Sequence, residues 1–195
     1  RDGRLYRYTP EIKLAINVAL ATGRPLLVLG VTGCGKSSLA YNLARVMQRR
    51  YYEFVVTSRS QARDLLYRFD AVRRLGDSQS RDYQEHSAGP TESTDRIWKT
   101  QFPYVDPGPI WWILDPHTAS RRGCPGEDKP PFKEATNPVI WEPEGSSACS
   151  SILLIDEIDK AEPDFPNNLL VPLGSWQFII DEVATPIYLS SAGER

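Results

Sequence analysis

Residues 30–37 read GVTGCGKS, a glycine-rich segment between two runs of different hydrophobic pattern. The run before it, PLLVLG, is short and continuously apolar, which is typical of a strand buried on both faces of a parallel sheet. The run after it, KSSLAYNLARVMQ, has apolar residues at helical spacing, which predicts an amphipathic helix. The order strand, glycine turn, helix therefore predicts an α/β fold.

The glycine-rich segment fits the pattern Gly-x-x-x-x-Gly-Lys-Ser in the strand-to-helix context that this pattern requires. Glycines let the backbone curl so that successive N–H groups point at phosphate oxygens, and the helix adds its positive N-terminal end. We predict that Lys36 contacts the β- and γ-phosphates of a nucleotide and that the Ser37 hydroxyl binds Mg²⁺. The predicted nucleotide-binding residues here are Gly30, Val31, Thr32, Gly33, Cys34, Gly35, Lys36, Ser37 and Ser38.

A second motif, SILLIDEIDK at residues 151–160, leads an aliphatic strand directly into two adjacent carboxylates. Such a pair is costly at the end of a buried strand unless a cation meets it, although a solvated strand end is the alternative. Neighbouring parallel strands end on the same side of a sheet, so we expect this strand end to lie beside the glycine-rich segment. Asp156 is then predicted to hold Mg²⁺ through a water, and Glu157 to deprotonate the water that attacks the γ-phosphate. Glu157 and Lys36 are the predicted catalytic residues.

Other patterns predict the remaining elements of one domain over residues 1–195. Thr9 and Pro10 predict the start of a helix that ends near Gly23. Further helices are predicted in QARDLLYRFDAVRRL, in GPIWWIL and around residues 165–173. YYEFVVTS, SSILLID and PIYLSS are predicted as the second, third and fourth strands of the sheet, and WQFII as a short ribbon. Polar stretches at about 77–100 and 115–148 predict insertions, although PVIW within the second fits a short hairpin strand.

Composition indicates no nucleic-acid or membrane partner and no disulfide or zinc framework. The 23 Lys and Arg residues against 25 Asp and Glu leave no charge excess that would indicate nucleic acid or an anionic membrane. The apolar runs are too short to cross a bilayer. The three cysteines lie far apart and form no Cys-x-x-Cys pair, which argues against a disulfide framework and a zinc site. We therefore expect a cytoplasmic protein.

Together these motifs resemble the AAA+ ATPases, and among them the MoxR-like branch. The resemblance is carried by GRPLLVLGVTGCGKSSLA, TSRSQARDLLYRFDAVRRL, GPIWW and, as its most specific part, LLIDEIDKAEPDFPNNLL. It covers most of the chain outside the two polar stretches. It implies a P-loop NTPase core of three layers, with a mostly parallel sheet in the strand order 5-1-4-3-2 flanked by helices. The fifth strand and the helical lid of the family would lie beyond this sequence, which we interpret as a fragment.

The resemblance also implies a function. Its members bind ATP and Mg²⁺, form rings that are typically hexameric, and use ATP hydrolysis to remodel or activate partner proteins, often proteins with a von Willebrand factor A domain. We expect the same of this chain, with itself and a protein client as its partners.

One position departs from the family pattern. Ser190, Ser191 and Ala192 stand where similar proteins have a segment with an asparagine that senses the γ-phosphate, and alanine cannot form that side-chain hydrogen bond. Either Ser191 substitutes for the asparagine and the protein is a slow ATPase, or it is an ATP-gated binding switch with little turnover. A P-loop kinase for small molecules is a further alternative, although Glu157 favours water as the acceptor.

Aromatic and basic residues outside the two motifs leave alternatives open. Trp111 and Trp112 beside Tyr104 fit either a loop facing a ring pore or buried helix packing. Near the N-terminus, three residues fit either the border of an adenine site or the core: Tyr6, Tyr8 and Ile12. Three arginine pairs fit solvated surface better than an arginine finger, namely Arg49-Arg50, Arg73-Arg74 and Arg121-Arg122.

Overall fold

A computed structural model describes residues 6–85, 101–126, 129–144 and 150–189, with the backbone alone for residues 80–85. The helices are α1 (Pro10–Thr22), α2 (Lys36–Val46), α3 (Ala71–Glu85), α4 (Pro109–Leu114), α5 (Pro116–Ser120) and α6 (Phe165–Ser175). The strands are β1 (Arg50–Val55), β2 (Tyr67–Phe69), β3 (Val105–Pro107), β4 (Ser151–Asp156), β5 (Gln177–Ile180) and β6 (Thr185–Tyr188). The chain divides into two compact units, Arg1–Tyr52 with Ile140–Leu154, and Glu53–Val139 with Ile155–Arg195. Among the described helices, none has the length and apolar character needed to cross a membrane.

Helix α1 of the first unit begins and ends where the sequence predicts. Thr9 Oγ1 accepts a hydrogen bond from the Ile12 N–H at 3.4 Å, and Pro10 takes the first helical position, where no N–H donor is needed. At the other end Gly23 adopts the left-handed conformation with φ 63°, and its N–H donates to the Ala19 carbonyl oxygen. The predicted start and stop of this helix are confirmed.

The start of β1 is anchored by contacts within the first unit. The Tyr51 N–H donates to the Trp141 carbonyl oxygen at 2.8 Å, and the Ile140 N–H donates to the Tyr51 carbonyl oxygen at 2.9 Å. The predicted PVIW strand is thus a single antiparallel bridge to β1. Tyr41 of α2 packs edge-on against Tyr51, with ring centroids 5.2 Å apart.

The apolar run before the glycine-rich segment does not form the predicted strand. Residues 24–31 adopt neither helix nor strand, and Leu27 and Leu29 are 67% and 83% exposed. A short apolar run becomes a strand only when a neighbouring strand satisfies its backbone, and no described strand pairs with this one. The prediction of a buried strand here was wrong.

Strands β1 and β4 pair with each other in parallel. The Arg50 N–H donates to the Ser150 carbonyl oxygen at 3.2 Å, and the Val56 N–H donates to the Asp156 carbonyl oxygen at 2.9 Å. Both strands therefore advance in the same direction. They correspond to the second and third predicted strands, which the implied strand order places side by side. With helices alternating along the chain, this parallel pair confirms the predicted α/β class.

Strands β5 and β6 form an antiparallel hairpin, with Phe178 opposite Ile187. They are joined by the 3-10 turn Asp181–Val183 and Ala184. So short a connection joins only antiparallel neighbours, because a parallel crossover needs about a dozen residues or more. WQFII is thus confirmed as a ribbon strand, whereas PIYLSS, predicted as a fourth strand of the parallel sheet, is the second arm of this hairpin.

The segment QARDLLYRFDAVRRL forms three elements and not the single helix that its spacing predicts. Gln61 and Asp64 make reciprocal capping hydrogen bonds that close the 3-10 turn Ala62–Leu65. Strand β2 then pairs antiparallel with β3. Helix α3 begins after Asp70, whose Oδ1 accepts a hydrogen bond from the Arg73 N–H at 2.8 Å. Pairing with a distant strand therefore outweighs the local helical pattern.

Helix α3 continues through residues 77–85, where the sequence predicts an insertion. The Tyr104 hydroxyl donates to Asp77 Oδ2 at 3.1 Å, and the Arg73 guanidinium lies 5.7 Å from the centroid of the Tyr104 ring. Polar and cation–π contacts thus hold a helix whose Val72 and Leu75 are 84% and 59% exposed. In the second predicted insertion, residues 116–120 form α5.

The core of the second unit is aromatic. The Phe178 ring meets Trp111 of α4 edge-on at 5.8 Å between centroids and stacks on Tyr67 at 6.2 Å. The Tyr67 hydroxyl accepts a hydrogen bond from the Asp181 N–H at 3.1 Å, which ties the hairpin turn to β2. The fully buried large side chains of this unit are Trp111, Tyr67, Leu65, Leu114, Ile180, Val56 and Val105.

We predict that Gly108→Ala destabilises the protein, because the backbone at Gly108 lies directly against a neighbouring turn. A Cβ on Gly108 would lie 2.4 Å from the Leu65 carbonyl oxygen and 2.5 Å from that of Asp64. Backbone atoms cannot move aside as a flexible side chain can, so we expect the free energy of unfolding to fall by about 2 kcal/mol, measured by urea denaturation.

Gly76→Ala is the matched control for this substitution. A Cβ on Gly76 meets nothing within 4 Å, and the residue lies inside α3. Alanine is the better helix former, so we expect this variant to gain about 0.5–1 kcal/mol. Equal stability of the two variants would contradict the packing of Gly108.

Candidate nucleotide-binding site

The glycine-rich segment folds as a tight turn that leads into α2. The Cys34 N–H donates to the Val31 carbonyl oxygen at 3.3 Å, which closes a turn with Gly33 at φ 85°. Gly35 follows at φ 92° as the N-cap of α2. Both values lie in the left-handed region that side chains disfavour, so glycine suits these two positions.

The Lys36 side chain folds back across this turn. Its Nζ donates to the carbonyl oxygens of Gly30 at 2.7 Å and of Val31 at 3.0 Å. An ammonium has three donors, so these bonds leave one for a further acceptor. Lys36 is also the first residue of α2, whose N-terminal end carries about half a positive elementary charge. The turn therefore combines an ammonium with a helix N-terminus, an arrangement that suits phosphate.

The other predicted residues of this segment lie on the loop or in the first turn of α2. Val31, Thr32, Gly33 and Cys34 are exposed, whereas Gly35, Lys36, Ser37 and Ser38 are half-buried. The Ser37 hydroxyl is a hard oxygen donor of the kind that Mg²⁺ prefers, so its chemistry fits the predicted metal role.

Tyr6 and Tyr8 lie in the same unit as the loop. The Tyr6 ring is 3.5 Å from the position a Cβ would take on Gly35. The two tyrosine rings pack edge-on with centroids 5.1 Å apart, and the Tyr8 hydroxyl donates to Oδ1 of the buried Asn42 at 2.7 Å. Burial, and then the neighbouring Tyr6, raises the pKa of Tyr8 above its ordinary value. Tyr6 thus borders the loop, and its contact with an adenine stays a prediction.

The predicted acidic pair lies at the carboxyl end of β4. The backbone of Asp156 is fixed by its hydrogen bond from Val56, and its Oδ1 accepts from the Glu157 N–H at 2.9 Å. Glu157 is the first residue beyond the strand and adopts the left-handed conformation, with φ 58° and ψ 37°. A non-glycine residue in this region is uncommon, and such residues cluster at functional sites.

Lys160 is a partner of Glu157 that the sequence analysis did not identify. Its Nζ donates to Glu157 Oε2 across the 3-10 turn Ile158–Lys160, and both side chains are about half exposed. The hydrogen bond to Glu157 raises the pKa of Lys160, and neighbouring carboxylates act in the same direction. The spacing of Glu and Lys three residues apart is the sequence signal for such a pair.

The structure brings the predicted site residues together in two groups. Residues 30–38 lie together in the first unit, and Asp156 and Glu157 lie together in the second. Within the described residues, no group of three or more His, Cys, Asp or Glu side chains could hold a metal ion. A Mg²⁺ held by one hydroxyl, one carboxylate, phosphates and water needs no such group. The meeting of the two groups at one nucleotide stays a prediction.

The tryptophans of α4 belong to the core. Trp111 is fully buried and its Nε1–H donates to Thr118 Oγ1 at 3.0 Å, while Trp112 and Tyr104 are also buried. Side chains so buried cannot face a pore, so of the two alternatives raised by the sequence, helix packing is correct.

Arg121 and Arg122 are structural and not solvated, contrary to the sequence prediction. Buried Arg121 donates to the carbonyl oxygens of Cys124 and Pro125. Arg122 donates to the carbonyl oxygens of Val105 and Lys133 and pairs with the Asp106 carboxylate. These bonds fasten the loop after α5 to β3, a role that the sequence pattern of a charged pair does not reveal.

Several predicted features lie outside the described residues. These are Cys149, one of the three cysteines, and the segment with Ser190, Ser191 and Ala192.

A family profile described as "AAA domain (dynein-related subfamily)" matches residues 25–89. The matched part contains the glycine-rich segment, α2 and β1. No curated protein and no solved structure matches the chain. Together with the α/β architecture, the match is consistent with the P-loop NTPase fold and supports an AAA-type domain, a class that generally binds and hydrolyses ATP. The match covers about a third of the chain and does not distinguish a MoxR-like branch.

We predict that Cys34 is alkylated faster than Cys124. Cys34 is exposed on the loop, whereas Cys124 is less exposed and its thiol donates to the Pro125 carbonyl oxygen at 3.7 Å. Iodoacetamide labelling followed by peptide mass spectrometry will measure both rates in one sample, and MgATP is expected to slow the labelling of Cys34 alone. Equal alkylation rates would contradict the greater exposure of Cys34. A Cys34 labelling rate that MgATP does not change would count against nucleotide binding at the loop.

Proposed function

We propose that the protein binds ATP with Mg²⁺ at residues 30–38 and hydrolyses it. The observation that carries this proposal is the Lys36 ammonium held across a glycine turn at the start of α2. Backbone N–H groups of the turn and the helix N-terminus supply donors for phosphate oxygens, and Lys36 supplies the charge that faces the β- and γ-phosphates. The match to an AAA domain supports the same conclusion.

Mg²⁺ would be held by the Ser37 hydroxyl and, through a water, by Asp156. When bound, it supplies charge that neutralises the phosphate oxygens. Asp156 lies at the carboxyl end of a parallel strand, which is the side of such sheets where ligands bind. This position supports its proposed role toward a nucleotide on the glycine turn.

Glu157 would be the general base. Its carboxylate orients a water and takes its proton as the water oxygen bonds to the γ-phosphorus. The bond from phosphorus to the bridging oxygen then breaks, which gives ADP and inorganic phosphate. The left-handed backbone at Glu157 supports a functional role, because strained residues of this kind persist where the surrounding structure requires them.

We further propose that the protein belongs to the MoxR-like branch and acts in the cytoplasm. In this proposal it forms a ring, typically of six copies, and remodels or activates a client protein such as one with a von Willebrand factor A domain. The resemblance of LLIDEIDKAEPDFPNNLL supports this proposal. The mass of the full-length protein with ATP, measured by light scattering, tests the ring, and a monomer at all concentrations would contradict it.

Lys36→Ala is expected to abolish ATP binding, because it removes the ammonium that faces the phosphates. A titration with a fluorescent ATP analogue should show a loss of affinity of roughly 100-fold or more, as expected when a charge-assisted contact is lost. Lys13→Ala is the matched control, since Lys13 is an exposed lysine of α1 and its loss should leave the affinity unchanged. Equal affinities of both variants would contradict the assignment of the site.

Glu157→Gln is expected to retain ATP binding and lose hydrolysis. General-base catalysis contributes about 10²–10⁴-fold, so phosphate release should fall by roughly 100-fold or more in the full-length protein. Asp159→Asn, in the exposed turn that follows, should hydrolyse at the wild-type rate. If wild type and Glu157→Gln bind ATP and both release phosphate only at background rate, the ATP-gated switch suggested by Ala192 replaces the ATPase.

A further inference from the structure

The contact between Lys160 and Glu157 is built into the backbone that ends β4. The left-handed conformation of Glu157 turns the chain out of the strand, and the Lys160 N–H donates to the Glu157 carbonyl oxygen at 3.0 Å. This closes the 3-10 turn and brings the Lys160 side chain back over Glu157. The two side chains therefore meet through local geometry and need no distant element to hold them together.

The two oxygens of the Glu157 carboxylate differ in their hydrogen-bond partners. Oε2 accepts from the Lys160 ammonium, while among the described residues Oε1 has no hydrogen-bond partner. The hydrogen bond to Glu157 raises the pKa of Lys160, so Lys160 remains a cation throughout the neutral range.

We propose that Lys160 is a positioning residue for Glu157: its ammonium holds Oε2, so that Oε1 is presented to the attacking water. This inference rests on the proposed ATPase function. In the step it supports, the water transfers its proton to Oε1 while its oxygen bonds to the γ-phosphorus and ADP leaves. Lys160 exchanges no proton and touches neither the water nor the nucleotide.

A surface ion pair without a catalytic role is the alternative. Exposed pairs of this kind contribute little to stability, and their loss leaves turnover unchanged. A misplaced catalytic group, in contrast, lowers the rate strongly even when substrate binding is intact. The kcat of suitable variants therefore distinguishes the two roles, provided that KM is measured alongside it.

The test is steady-state ATP hydrolysis by the full-length protein with Lys160→Met, Lys160→Arg and Lys129→Met. Methionine keeps much of the length of the lysine side chain and removes its charge, so we expect kcat to fall by about tenfold with KM unchanged. Arginine keeps the charge and the donor, so we expect at least half of the wild-type kcat. Lys129 is an exposed lysine outside the motif, so Lys129→Met should match wild type.

The double variant Glu157→Gln with Lys160→Met distinguishes the positioning role of Lys160 from the proposed ATPase function. With Glu157→Gln already present, Lys160→Met should lower the residual rate no further, because Lys160 acts through Glu157. If Glu157→Gln is slow while Lys160→Met keeps the wild-type kcat or exceeds it, the positioning role is overturned and the ATPase stands. If Glu157→Gln hydrolyses ATP as fast as wild type and above background, Glu157 is not the general base and the positioning role fails with it. If both proteins release phosphate only at background rate, the proposed ATPase function itself fails.

Discussion

The parallel pairing of β1 with β4 is the constraint on which the acidic end of the candidate site depends. The hydrogen bond from the Val56 N–H fixes the carbonyl of Asp156 at the last residue of β4. The chain then leaves the strand through the left-handed Glu157, whose own N–H fixes the Asp156 carboxylate. The strand pairing therefore orients the backbone of Asp156, the Glu157 N–H orients its carboxylate, and Lys160 holds the carboxylate of Glu157.

Local signals in the sequence predicted local structure well. Thr9, Pro10 and Gly23 set the ends of α1 because capping depends on the residues at the helix ends themselves. Where the prediction failed, the presence or absence of a pairing strand elsewhere in the chain determined the secondary structure. PLLVLG has no described partner and forms no strand, whereas residues 67–69 pair with β3 and interrupt a helical pattern.

The candidate site shows the same division. The glycines and Lys36 could be predicted because their backbone requirements are local, and Gly33 and Gly35 have the positive φ that the pattern implies. The structural role of Arg121 and Arg122 could not be predicted, because their acceptors are mostly backbone carbonyl oxygens, which every residue type carries. Lys160 lies between these cases, because its spacing from Glu157 is visible but its orientation depends on an unusual backbone conformation.

The left-handed backbone conformation at Glu157 lowers the stability of the protein, whereas the carboxylate at this position is needed for the proposed chemistry. A left-handed non-glycine residue costs roughly 1–2 kcal/mol, so glycine or asparagine at 157 would relax the main chain while removing the carboxylate. Under the proposed role of Glu157 as general base, a selection for thermal resistance alone would therefore enrich variants that bind ATP without hydrolysing it, as expected where activity and stability oppose each other.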